Sequence, residues 1–207
     1  MAQSSPSGST PLAKAHPPAT GLQVHDRFLP RDVQERVLAL LKAPGWAFGA
    51  FSDAAPEASR YWYKHFAGYV KTGLEERDPA QIEAELRANA PLIGEVWSRI
   101  KASVLPGHEL TRCYANGYPA GAEGGLHVDS NIPTHFTAIY YPHLSWRPND
   151  AGETLLFNQA GDEIIAAIYP RPNRLAAFPG VIPHVARGVS RTCTQLRITL
   201  MFKTAGP

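Results

Sequence analysis

The stretch Leu196-Arg197-Ile198-Thr199-Leu200-Met201-Phe202 alternates apolar and other side chains at every second position, and no other feature limits the possible fold as strongly. Successive residues of a strand point to opposite faces, so Leu196, Ile198, Leu200 and Phe202 make one apolar face while Arg197, Thr199 and Met201 share the other. Such a face needs a second layer to cover it. Further short runs of β-forming residues follow Glu109, separated by Gly, Pro and Asn: Leu110 to Tyr114, Phe136 to Tyr141, Thr154 to Phe157, Ile164 to Tyr169 and Leu175 to Phe178. Strands of this length and spacing predict a sandwich or a jelly roll.

The first half reads differently. Residues 1 to about 20 are rich in Ser, Pro, Gly and Ala, with no apolar stretch that could form a signal-peptide core, and are expected to be a disordered tail. Gln23 to Pro30 suggests a short strand and turn, after which Val33, Val37, Leu38 and Leu41 fall at helical spacing over about 31–42. Asp78-Pro79-Ala80-Gln81 combines an N-cap residue, a proline at the first helical position and a glutamine at the third. Pro91 opens a further helix whose apolar face is Leu92, Ile93, Val96, Trp97 and Ile100. The aromatic segment Arg60 to Tyr69 is expected either to fill core or to face a ligand as a lid. The expected class is α+β, mainly β, with N-terminal helices packed on one sheet. The expected organisation is one domain over 21–207, helical support occupying about 21–105 and the β-rich part about 106–204.

Composition excludes several functions. With 44% hydrophobic and 18% charged residues over 207 positions, the chain is an ordinary globular sequence long enough to bury one core. A net charge of +2 with scattered Lys and Arg gives no nucleic-acid footprint, and no apolar run reaches the length of a bilayer span. No nucleic-acid or membrane partner is expected. Cys113 and Cys193 are too few for a disulfide framework or a cysteine-based zinc site, which fits a reducing cytoplasm.

Chemistry concentrates in the β-rich part. On a strand, His127 and Asp129 of Gly125-Leu126-His127-Val128-Asp129 would face the same side and could share a metal ion with the distant His184. Two imidazoles and one carboxylate on one face of an octahedral ion leave three positions open, the donor set of non-haem Fe(II) oxygenases. By itself His-x-Asp is a common pattern, and a solvated His and Asp is the competing reading. Arg197 adds a second constraint, because a guanidinium turned into the interior is costly without an anion. A ligand carboxylate bound in bidentate fashion meets that need; so does a structural Asp or Glu, or exposure on an edge strand.

From Cys113-Tyr114-Ala115-Asn116-Gly117-Tyr118 through His127-Val128-Asp129, Ala138-Ile139-Tyr140-Tyr141, Gly152-Glu153-Thr154, Asn173 to Phe178 and His184 to Arg197-Ile198-Thr199-Leu200, the chain resembles the prolyl-hydroxylase-like branch of the Fe(II)- and 2-oxoglutarate-dependent dioxygenases. The resemblance covers about residues 112–203 in order. It implies a double-stranded β-helix, with His127, Asp129 and His184 as catalytic iron ligands and Fe(II), 2-oxoglutarate and O2 as cofactor and co-substrates. Arg197 would bind the remote carboxylate of 2-oxoglutarate. The interval between His184 and Arg197 is longer than in the family, so Arg191 is a rival anchor. Tyr114 and Tyr141 resemble hydroxyl donors to the co-substrate, with Tyr140 replacing Tyr141 if the register slips by one. Gly180 is expected to shape the turn that presents His184. The implied reaction yields succinate and CO2 while oxidising a substrate, and an intact Asp129 favours hydroxylation, since related halogenases lack that carboxylate.

The fold does not determine the substrate. A small molecule, an amino acid or a natural-product intermediate, suits a short chain without a peptide-binding module, and a prolyl or peptidyl substrate is the alternative. A non-catalytic metal-binding β-sandwich is the competing reading from another class. Of the remaining histidines, His16 falls in the tail and His25 in a pre-helix turn, His65, His108 and His143 show no ligand-spaced carboxylate partner, and His135, close to the iron motif, is expected to be a surface or hydrogen-bonded histidine, with approach to substrate the alternative.

Overall fold

A computed structural model describes residues 21–52, 60–68 and 77–207. The expected tail and Tyr69 of the aromatic segment lie outside the described residues. Among the described residues, ten strands and three α-helices follow in the order β1 (Gln23–His25), α1 (Arg31–Lys42), β2 (Ala47–Ala50), β3 (Tyr61–Ala67), α2 (Pro79–Asn89), α3 (Pro91–Ser103), β4 (Glu109–Tyr118), β5 (Phe136–Tyr141), β6 (Thr154–Phe157), β7 (Ile164–Ile168), β8 (Arg174–Pro179), β9 (His184–Ala186) and β10 (Arg197–Ala205). A seven-stranded antiparallel sheet has the order β1-β8-β5-β10-β4-β3-β2, and a three-stranded one β7-β6-β9. The class is mainly β with large antiparallel sheets.

Local chemistry explains the helix starts. Asp78 accepts a hydrogen bond from the Ala80 amide (2.9 Å), with Pro79 in the first turn where its missing N–H costs nothing. Pro91 does the same for α3 across the one-residue break at Ala90. The apolar stripe of α3 (Ile93, Val96, Trp97, Ile100) is buried, and Trp97 stacks on Phe202 of β10 with ring centroids 5.9 Å apart. The helices therefore cover the face of the large sheet formed by Ile198, Leu200 and Phe202 of β10 with Ala138 and Tyr140 of β5. The opposite face packs on the small sheet through Ile139, Tyr141, Phe178 and Met201, which meet Leu156 and Ile168.

β10 sits at the centre of the large sheet, between β4 and β5. It runs from Arg197 to Ala205, and β4 continues to Tyr118, both past the expected ends. Mutual pairing carries them on: Arg197 lies opposite Tyr118 and Gly117 opposite Ile198, so the Asn-Gly pair that suggested a break is held in the ladder. The aromatic segment is mostly β3, paired to β4, and β2 extends the sheet beyond it. The sequence reading omitted β2 and β9, which are four and three residues long and owe their conformation to partners distant in the chain.

Candidate active site

The segment carrying His127 and Asp129 is not a strand. One antiparallel bridge pins it, with His127 N–H donating to His184 O (3.1 Å) and His184 N–H to His127 O (2.9 Å). Asp129 and Ser130 both donate their amides to Gly180 O, at 2.8 and 3.2 Å. Gly180 has no left-handed backbone. It lies, as expected, in the turn before His184, closed by Ile182 N–H to Pro179 O (3.1 Å), and it also serves close approach, since a Cβ there would sit 3.3 Å from the Ser130 Cβ and 3.4 Å from the Ser130 N.

These contacts bring one ligand atom each of His127, Asp129 and His184 within 4.8 Å of one another. His127 Nε2 lies 3.5 Å from Asp129 Oδ1, and His184 Nε2 lies 3.1 Å from Oδ2. Each imidazole is oriented by a backbone carbonyl: Nδ1 of His127 to Gly125 O and Nδ1 of His184 to Ile182 O, both 2.8 Å. A carbonyl only accepts, so each Nδ1 carries the proton and each Nε2 presents a lone pair. Two such lone pairs converging on a carboxylate form a cation site, and the backbone carbonyls are the outer-shell partners that a ligating histidine requires. The donor set fits Fe(II).

Asp129 has further partners. Thr137 of β5 donates its hydroxyl to Oδ2 (2.5 Å), Lys203 of β10 donates to the same oxygen, and Lys203 also reaches Thr137 Oγ1 at 3.0 Å. Burial alone would raise the Asp129 pKa, but the Lys203 charge beside it outweighs that and holds the carboxyl well below its usual range. For Lys203 the balance goes the other way, and burial lowers its pKa despite Asp129.

Arg197, Thr199, Met201 and Lys203 line one cavity of about 520 Å³ together with the triad, Arg112, Tyr114, Asn116, Tyr118 and Thr154. Arg197 is 1% exposed. Its Nε donates to Gly152 O (2.6 Å) and one terminal nitrogen to Thr154 Oγ1 (3.0 Å), while the Tyr118 and Tyr141 rings lie 5.5 and 5.7 Å away. Among the described residues no carboxylate pairs with it. Of the three answers to its burial, a structural Asp or Glu and an edge strand are both absent here. Gly152, at φ +84°, is fitted to the guanidinium, since a Cβ would stand 2.8 Å from Arg197 Cδ. Arg191 is exposed and outside the cavity lining.

Tyr114 of β4 lines the cavity. Its hydroxyl stays protonated because burial, and then the Asp129 charge, raise its pKa. Tyr141 lies on the same side of β5 as Ile139, its hydroxyl 3.0 Å from Thr154 Oγ1, which places it behind the threonine that Arg197 contacts. Tyr140 points to the helices and donates to Asn173 Oδ1 at 3.0 Å. Sequence reasoning missed Thr137, Thr154, Arg112 and Lys203; the last continues the period of two from Arg197, which was read only as far as Phe202.

Of the other histidines, His143 is buried and accepts the Ile198 amide at Nε2 (2.9 Å). His135 meets the Ser130 hydroxyl at 3.0 Å, and His108 meets that of Thr204 at 2.9 Å. His16 lies outside the described residues. No helix among the described residues is long and apolar enough to cross a membrane.

No protein-family model matches the chain, and no curated protein does. Solved structures share its fold. A prolyl-4-hydroxylase of Pseudomonas putida superposes with a TM-score of 0.57 at 20% identity, over 90% of this chain and 93% of that one. An oxidoreductase of the 2OG-Fe(II) oxygenase family from Burkholderia pseudomallei gives 0.59 at 16% identity, covering 89% and 85%. HygX from Streptomyces hygroscopicus, solved with nickel and 2-oxoglutarate bound, gives 0.59 at 11% identity, covering 91% and 84%.

Proposed function

We propose that the chain is a double-stranded β-helix dioxygenase that uses Fe(II), 2-oxoglutarate and O2 to hydroxylate an unactivated C–H bond of a small molecule, releasing succinate and CO2. One observation carries this reading: a buried arginine with only neutral partners lines the same cavity as two imidazoles and a carboxylate arranged for a cation. The strand pairing supports the fold assignment. β4, β5, β8 and β10 lie in the large sheet, while β6, β7 and β9 lie in the small one, to which His127 adds a bridge.

His127, Asp129 and His184 would hold the iron, which supplies the activation of O2 that no amino-acid side chain provides. Arg197 binds the remote carboxylate of 2-oxoglutarate, oriented by Gly152 O and Thr154. Tyr114 and the Tyr141-Thr154 pair supply hydroxyl donors around the co-substrate. Ile139 and Met201 contribute the apolar part of a cavity lining that also carries Asn116, Thr154 and Thr199. Thr137 fixes the carboxylate rotamer of Asp129.

The cavity volume lies in the range of small-molecule sites, roughly 300–1,000 Å³, which supports a small substrate. A peptide is the second reading, favoured by the fold shared with a Trichoplax adhaerens prolyl hydroxylase solved with a peptide fragment, TM-score 0.58 at 16% identity over 89% of this chain and 83% of that one. The test is succinate formation from 2-oxoglutarate with purified protein, with and without Fe(II), across amino acids and prolyl peptides. Iron-independent or absent succinate formation contradicts the proposal.

A further inference from the structure

The cavity holds more positive charge than the metal and co-substrate account for. Arg112 of β4 and Lys203 of β10 are directly paired across the ladder, and both line the cavity. The Arg112 guanidinium lies 4.5 Å from the Tyr114 ring centroid, which holds it over the cavity side of the sheet. Arg112 is exposed and, among the described residues, has no carboxylate within ion-pair distance. Lys203 faces Asp129 and Thr137.

The described cavity lining contains three cationic side chains, Arg112, Arg197 and Lys203, against the single carboxylate of Asp129, a balance of +2 with neutral imidazoles. Adding a divalent metal and a dianionic co-substrate leaves that balance unchanged. Once Asp129 serves as a metal ligand, Lys203 loses most of its claim on the carboxylate and lies beside a dication, an arrangement that low dielectric makes costly. A second anion removes the cost. The co-substrate does not supply it: its remote carboxylate is taken by Arg197 and its other end by the metal at the triad, so the two positive charges of Arg112 and Lys203 stay unmatched.

Resting on the proposed function, we propose that Arg112 and Lys203 form a second carboxylate subsite and that the substrate is a small molecule docked there through its own carboxylate, as a free amino acid would be. Arg112 supplies the planar fork and Lys203 the point charge beside the metal. The carboxylate end is thereby fixed at the Lys203 end of the cavity, and the rest of the substrate extends over the triad.

The test uses the full chain with Fe(II) and 2-oxoglutarate, and measures succinate formation stimulated by the standard L-amino acids, by their primary amides, and by short peptides carrying one glutamate. At least one free acid should stimulate while its amide does not. Arg112→Gln should raise KM for that acid about tenfold or more, with kcat changed less, and Arg112→Lys should restore much of the affinity. Arg112 is exposed, so its replacement does not disturb packing; Lys203→Met provides a second variant with the same expected direction. Equal stimulation by acid and amide, stimulation by acidic peptides alone, no stimulation by any amino acid, or an unchanged KM in Arg112→Gln overturns the inference. Calorimetric binding of 2-oxoglutarate to the same Fe(II)-loaded protein separates the two levels: if it binds and acid preference is absent, only the subsite fails, and if it does not bind, the proposed function fails and the subsite with it.

Discussion

Arg197 and Lys203 stand at the two ends of the same row on β10, yet the fold surrounds them in opposite ways. Arg197 is enclosed by a glycine carbonyl, a threonine hydroxyl and two tyrosine rings, none of which neutralises it. Lys203 rests on the Asp129 carboxylate, beside His127 and His184. A cation buried among neutral oxygens marks a place built for an anion that arrives from outside, whereas one resting on a ligand carboxylate marks a place that rearranges when the metal binds. On the proposed function, that contrast gives the cavity a direction, with the co-substrate at the enclosed end and the substrate at the other.

The largest expected effect comes from removing the group that both regions depend on. Asp129→Ala should lower metal affinity by more than the roughly 10–100-fold that loss of an outer-shell partner costs, and abolish succinate formation, as read by metal titration and product assay. Next, Arg197→Ala should raise KM for 2-oxoglutarate on the order of 100-fold or more, corresponding to the 2–5 kcal/mol of a buried charge pair losing one member. Arg191→Ala should leave it unchanged. If the two variants behave in reverse, the anchor is Arg191 and the contrast between the ends of β10 collapses.

Acid sensitivity at the Arg197 end should be smaller. His143 accepts the Ile198 amide from inside the core, and burial, followed by the charges of Arg197 and Lys42, lowers its pKa from 6.5 to about 3. As pH falls, the unfolded chain takes up this proton first. The contribution is therefore complete above 6.5 and is lost progressively toward 3, at about 1.4 kcal/mol per pH unit, or about 2 kcal/mol by pH 5. Chemical denaturation between pH 7 and 5 should show this slope, flattened in His143→Gln. An equal slope in that variant removes His143 from the account. Smaller again, Gly152→Ala places a Cβ 2.8 Å from Arg197 Cδ at φ +84°, which should cost about 1–2 kcal/mol of stability and weaken 2-oxoglutarate binding, because the arginine must shift. Thermal unfolding and co-substrate KM measure both parts, and an unaffected KM shows that Gly152 does not position the guanidinium.

Legibility in the sequence followed the range of the interactions involved. The alternation about Arg197 placed a strand with one apolar face because the period of two is local, and proline and capping signals marked the starts of α2 and α3 for the same reason. The same alternation contained Lys203, but the mixed character of Phe202-Lys203-Thr204 gave no reason to extend the strand without its partners on β4 and β5. His127 and Asp129 converge as the His-x-Asp spacing suggested, though a single bridge to His184 and the Gly180 carbonyl hold them, not strand geometry. Tyr140 and Tyr141 were indistinguishable until the pairing of β5 with β8 and β10 assigned each a face. Thr137 carried no sequence signal of its own, and Thr154 was marked only as the end of Gly152-Glu153-Thr154; both matter through a single hydroxyl whose neighbours lie far along the chain.

That the triad and Arg197 serve one ligand can be read from anaerobic calorimetry of 2-oxoglutarate against metal-free and Fe(II)-loaded protein. One binding site is expected, with an affinity that rises tenfold or more, about 1.4 kcal/mol, when Fe(II) occupies His127, Asp129 and His184. Equal affinity with and without the metal would contradict it.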